Sequence, residues 1–157
     1  MKSRAGFTLI EMVVTVVIVS ILAAAAMPVL QLTLKRNKEA ELRTCLRQIR
    51  EALDAYKLAY DEGKIKRGLD QSGYPPSLDV LERGVQDQTR PDRKIIRFIR
   101  KIPRDPLNHD LTLAPADTWG KRSYQSEADA PSEGVDVYDV YSKSPEQAIN
   151  GSWYRDW

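Results

Sequence analysis

One carboxylate interrupts the most apolar stretch of this chain. Between Phe7 and Met27, seventeen of twenty-one residues are apolar, and Glu11 alone is charged. A charge near the middle of a membrane helix costs about 2.5–3.5 kcal/mol on insertion scales, so such a residue is expected to have a partner and a task. The short leader before it, Met1-Lys2-Ser3-Arg4-Ala5-Gly6, offers a route to a partner. A cut after Gly6 makes Phe7 the first residue and gives it a new ammonium four residues before Glu11. Glu11 of one subunit can then meet the Phe7 amine of a neighbour. If the chain is cut there, the chemistry open to Glu11 is ion pairing with a new N-terminus.

Other reactive residues are few. A single cysteine, Cys45, excludes an internal disulfide and Cys-rich zinc sites. The single histidine, His109, stands beside Asp110 in a Pro- and Asn-rich stretch, where a loop histidine is the expected reading. No Gly-rich phosphate-binding loop and no catalytic constellation is found, so the chain is read as not an enzyme.

The elements that must position Glu11 begin with the apolar run itself. A helix rises about 1.5 Å per residue, so about twenty residues cross a hydrocarbon core of about 30 Å. A lone spanning segment satisfies its backbone in lipid only as a helix. Pro28 follows the tract Ala23 to Ala26 and predicts a kink or a locally melted turn. An ordinary secretory signal is the competing reading, since the alanine tract suits a small-residue cut. The apolar core is longer than the usual 7–15 residues, however, and Glu11 lies inside it. A plain single-span anchor also stays open.

From Lys35 to Glu62 the chain reads as an amphipathic helix. Leu42, Leu46, Ile49, Leu53, Tyr56 and Tyr60 repeat at spacings of four and three. The other face predicts the pairs Glu39–Arg43, Arg47–Glu51 and Arg50–Asp54 one turn apart. Gly63 is placed to end the helix. The stripe suits packing against one domain, with a coiled-coil seam as the second reading. Both helical halves together predict one rod on the order of 80 Å.

The signal residues resemble the class III signal of prepilins and pseudopilins: a basic leader, Gly6, Phe7, Thr8-Leu9-Ile10-Glu11, the apolar span and Pro28. Further along, Tyr74-Pro75-Pro76-Ser77-Leu78, Ile102-Pro103-Arg104-Asp105-Pro106 and Asp139-Val140-Tyr141-Ser142 resemble elements of the major pseudopilins of type II secretion systems. The resemblance implies a prepilin peptidase that cleaves after Gly6 and N-methylates Phe7. It makes Glu11 and Pro28 assembly residues and Pro28 a flexible point in the filament. The implied fold is α+β, a long N-terminal helix, transmembrane then amphipathic, packed on a small C-terminal antiparallel sheet. The implied organisation is a leader at 1–6, an anchor at 7–34, the amphipathic half at 35–62 and a periplasmic part at 63–157.

Within that last part, Ser77 is the expected N-cap of a short helix. Arg93, Arg97, Arg100 and Arg104 fall at helical spacing and read as a solvated basic face. The two prolines at 103 and 106 predict an extended corner. Trp119 to Gln125 and Val135 to Tyr141 read as strands.

The formal net charge is +2, with Lys2 and Arg4 in the leader, so nucleic acid is not an expected partner. Charge is split along the chain: residues 7–104 carry 18 basic and 12 acidic side chains, and residues 105–157 carry 4 and 10. The split predicts that basic helix residues such as Arg43 and Arg50 face acids of a neighbouring subunit. Lys35, Arg36 and Lys38 beyond the span outnumber Lys2 and Arg4, so charge counting leaves the orientation open. The resemblance implies a cytoplasmic leader, a single inner-membrane span and a periplasmic C-terminal domain.

Ca²⁺ is the one cofactor that the resemblance implies, in the loop after the last core strand. Calcium takes six to eight oxygens at about 2.3–2.6 Å. Here Glu146 and Asp156 offer two carboxylates, with Asn150 or carbonyls to complete the shell. Lys143 and Arg155 lie in the same stretch, and the other reading is a loop held by packing of Trp153, Tyr154 and Trp157. The resemblance implies a structural subunit of a periplasmic filament that drives export of folded proteins. Its partners would be identical subunits, minor pseudopilins, the inner-membrane assembly platform and the membrane. A type IV or competence pilin and a membrane-anchored periplasmic binding domain that does not polymerise are the alternatives.

Overall fold

In the computed structural model, residues 7–68 and 72–157 are described. Helix α1 runs from Leu9 to Asp61 with Pro28 inside it. The melted turn expected at Pro28 is absent, since helical structure continues through it. A proline there removes one N–H and crowds one carbonyl, at about 3 kcal/mol, against the many hydrogen bonds of a 53-residue helix. The helix ends where Gly63 takes φ +77°. There the Lys64 N–H reaches back to the Ala59 carbonyl and the Gly63 N–H to that of Tyr60. This is a Schellman motif, and it needs the left-handed conformation that glycine adopts freely.

The chain divides into two compact units, Met1–Asn37 and Lys38–Trp157. In the first, every described side chain up to Leu34 is exposed. An apolar helix bare on all sides is one that lipid or other helices must cover.

In the second unit, α1 buries Leu42, Leu46, Ile49, Leu53 and Tyr56 as the periodicity predicts, with Tyr60 half-buried. Cys45, Ala52 and Ala59 join them in one core with Leu78, Leu81, Ile102, Trp119, Val140 and Tyr154. Each large apolar side chain buried in that way contributes about 1.5–3 kcal/mol.

Short elements cover the stripe. Helix α2 (Asp79–Arg83) begins after Leu78 with no side-chain cap. Ser77 therefore does not cap it; the Ser77 carbonyl instead accepts the Val80 N–H in the opening turn. Strand β1 (Val85–Gln86) pairs antiparallel with β2 (Ile95–Ile96). Gly84, at φ +82°, passes so close to Ile96 that a Cβ would sit 2.4 Å from its carbonyl oxygen. Strand β3 (Trp119–Arg122) pairs antiparallel with β4 (Asp139–Ser142), Trp119 opposite Ser142 and Arg122 opposite Asp139. The α+β class holds, with the sheet divided into two small hairpin pairs.

Two further expectations differ from the fold. The arginine-rich segment from Arg90 to Arg104 is not helical: it contains β2 and irregular chain, with Arg93 at φ +45°. Its helical spacing belonged to the charges, while Ile95 and Ile96 are recruited by β1. The final strand starts at Asp139, not Val135. Asp136 is spent on a loop clamp, accepting the Ser123 hydroxyl at 2.7 Å, the Tyr124 N–H at 2.9 Å and the Ser72 hydroxyl.

Candidate functional site

The N-terminal candidate residues sit at the start of α1. Thr8 immediately precedes the helix and Glu11 lies in its first turn. The Glu11 carboxylate accepts the Thr8 N–H and the Thr8 hydroxyl, both at 2.8 Å. In return the Thr8 hydroxyl oxygen accepts the Glu11 N–H at 3.4 Å. Thr-x-x-Glu is thus a capping box, two orphan donors satisfied reciprocally. The spacing Thr8-Leu9-Ile10-Glu11 carried that signal. Glu11 is also nearer the end of the apolar helix than its middle, where a negative charge meets the positive end of the helix dipole.

The other hydroxyls of the span bond to the helix itself. Thr15 donates to the Met12 carbonyl, Ser20 to Val16 and Thr33 to Val29. Such back-bonding leaves no hydroxyl needing water along an apolar surface. Phe7 is 79% exposed just ahead of the cap. Gly6 and the rest of the leader, Lys2 and Arg4 included, lie outside the described residues. Pro28 lies on the bare apolar stretch.

The two arginines expected to face a neighbour are engaged within their own chain. Arg50 donates to the Asp139 carboxylate at 2.8 Å, the Val140 carbonyl at 3.2 Å and the main-chain oxygen of Trp157 at 2.7 Å. The Arg43 guanidinium lies 4.4 Å over the Trp157 ring. Glu39 turns inward, away from the pair predicted with Arg43. It accepts the Ile149 N–H at 2.8 Å and the Tyr154 hydroxyl at 3.0 Å. Burial first, then the hydrogen bond and charge of Glu39, push the Tyr154 phenol up to about 12. Glu39 falls three residues before Leu42, in register with the buried stripe, and that register was the available signal.

The motifs at 102–106 and 139–142 prove to hold each other. Asp105 is buried and accepts the Ser142 hydroxyl at 2.6 Å and the Leu107 N–H at 2.8 Å. Its own N–H donates to Thr118, and the Trp119 indole donates to the Pro103 carbonyl. The proline corner is therefore stitched to both β3 and β4.

The two carboxylates considered for Ca²⁺, Glu146 and Asp156, are both exposed. Asp156 is well exposed and 3.7 Å from the Arg155 guanidinium. The Asn150 side-chain oxygen already accepts the Ser152 N–H and hydroxyl. Among the described residues no three His, Cys, Asp or Glu groups gather as metal ligands. This donor set does not fit the ion. Cys45 is a core thiol, pushed up by burial and then by Glu41 and Asp105. His109 stands 3.4 Å from the Lys38 ammonium.

Residues 1–27 match the family model described as the prokaryotic N-terminal methylation motif. The chain is 33% identical over 121 residues to the type II secretion system core protein G of Vibrio cholerae, covering 74% of this chain and 75% of that one. To the core protein G of Pseudomonas aeruginosa it is 31% identical over 140 residues, covering 86% and 91%. To that of Escherichia coli K12 it is 29% identical over 112 residues, covering 69% and 70%. No solved structure matches the chain.

Proposed function

The chain belongs to the family of type II secretion system core protein G, the major pseudopilins, and from that premise we propose that it polymerises into a periplasmic filament whose growth drives folded proteins across the outer membrane. Its role in that family is structural, and its bare apolar helix anchors it in a membrane. The observation that carries the reading is coverage. The likeness to core protein G extends over 75% of the Vibrio cholerae protein and 91% of the Pseudomonas aeruginosa one, well beyond the 27-residue methylation motif. The alternatives, a type IV or competence pilin and an anchored domain that does not polymerise, have no comparable support.

The proposed course begins with the leader in the cytoplasm and the Lys38–Trp157 unit in the periplasm. A prepilin peptidase cuts after Gly6 and methylates Phe7. The new ammonium of Phe7 then stands one residue from the Thr8 N–H that Glu11 holds at 2.8 Å. In the filament, Glu11 exchanges its Thr8 contacts for the Phe7 amine of an adjacent subunit, an ion pair made strong by the apolar surroundings. The exposed helix surface from Phe7 to Leu34 packs on other copies, and Pro28, which lacks its N–H, is where the helix yields on packing. Minor pseudopilins and the inner-membrane platform supply the start and the drive.

Mass analysis of the protein extracted from membranes that contain a prepilin peptidase tests this course. The expected mature chain starts at a singly methylated Phe7. A chain starting near Pro28, or an uncut one, would overturn it.

A further inference from the structure

The loop after β4 has an anchor that the resemblance does not supply. Glu39 is only 8% exposed, on the buried face of α1. Its Oε1 accepts two donors more than a hundred residues away in sequence, the Ile149 amide and the Tyr154 hydroxyl. A buried carboxylate must have such donors, since desolvation otherwise expels the charge. The donors in turn belong to a closed knot. The Ala148 N–H meets the Ser152 carbonyl at 2.8 Å, and the Gly151 N–H meets that of Ala148 at 2.9 Å. The Trp157 indole donates to the Ser152 hydroxyl at 2.7 Å, and its ring packs edge-on against the fully buried Tyr154 at 5.1 Å. Arg43 and Arg50 close the far side over Trp157.

A calcium loop converges oxygens on a cation. Here the polarity is reversed: N–H and O–H donors converge on one anion, and the Asn150 oxygen is taken by Ser152. We propose that the Glu39 carboxylate, reaching from α1 to Ile149 and Tyr154, locks the C-terminal loop in place of a metal ion. Folding of this subunit is therefore independent of calcium.

Thermal melting of the full chain in detergent, with excess chelator and with millimolar calcium, tests this. The parent is expected to melt at one midpoint in both. Glu39→Ala is expected to melt lower by roughly 5 °C or more, equally in both conditions, because it strands two donors. Glu39→Gln keeps an acceptor oxygen and recovers part of the loss. Should Glu39→Ala not fold, Tyr154→Phe removes one donor alone and is expected to give a smaller drop that calcium does not restore. A parent destabilised by the chelator, a Glu39→Ala variant as stable as the parent, or a loss restored by calcium would each overturn the proposal.

Discussion

The Glu11 carboxylate takes both donors of Thr8, the main-chain N–H and the hydroxyl, at 2.8 Å each. In the isolated subunit it thus works as a cap, of the kind whose loss costs about 0.5–2 kcal/mol. In the proposed filament its charge is the feature expected to matter. Two substitutions separate the roles. Glu11→Gln keeps an oxygen for Thr8 but removes the charge, whereas Glu11→Val removes both. Both variants are expected to insert and to lose the leader as the parent does. Both should lose at least about tenfold of the assembled, sedimentable fraction, since a charged partner in an apolar setting is worth more than about 1.4 kcal/mol. Full assembly of Glu11→Gln would show that the cap alone is needed. At this scale the chain was partly readable. Glu11 announced itself as a lone charge in an apolar run, while its Thr8 partner lay in the Thr-x-x-Glu spacing. Glu39 looked like one more surface acid of an amphipathic helix. Its phase with Leu42 and Leu46 set it facing inward, but its partners at 149 and 154 are joined to it only by the fold.

Among the elements, α1 was legible because its stripe repeats every three and four residues and its end is marked by Gly63. Strands β3 and β4 fall within or beside the segments read as strands, whereas β1 and β2 were not legible, because two residues carry too little periodicity and tertiary partners decide them. Val135 to Tyr141 alternates well enough to suggest one strand. Yet Asp136 leaves the ladder to bind Ser123, Tyr124 and Ser72, and the Val137 N–H goes to the Pro75 carbonyl. Burial alone would raise the Asp136 carboxyl. The hydrogen bonds from Ser123, Ser72 and the Tyr124 N–H outweigh it and hold the group below its ordinary value of 3.8. A depressed folded value means that the clamp stabilises above about pH 4 and that its contribution is lost as pH falls through the folded value. Asp136→Ala is therefore expected to cost about 1–3 kcal/mol at pH 7, by leaving buried donors unsatisfied. The gap from the parent should narrow at pH 3 in denaturant titrations. A gap of constant size across that range would show that the loss comes from packing instead.

For the whole molecule, the charge split along the chain is real in sequence, but part of it is spent internally. Arg50 joins the basic helix to the acidic C-terminal half through Asp139, and Arg122 approaches the same carboxylate at 3.7 Å. The arginines chosen from sequence to meet a neighbour thus meet their own β4 and Trp157. Sequence order alone does not reveal which surfaces fold against each other. The surface that no part of the described chain covers is the apolar helix from Phe7 to Leu34, every side chain of it exposed. A subunit with such a surface has a lipid-covered state and a filament state, and a repeating heterologous contact is what lengthens a filament without closing it. The most direct measurement is electron microscopy of filaments sheared from cells that express this chain together with a type II secretion machine, labelled by antibody to the chain. Labelled filaments built from chains that begin at Phe7 are expected, and none from Glu11→Gln. Correctly processed chains that stay unassembled in the membrane of cells with a working machine would contradict it.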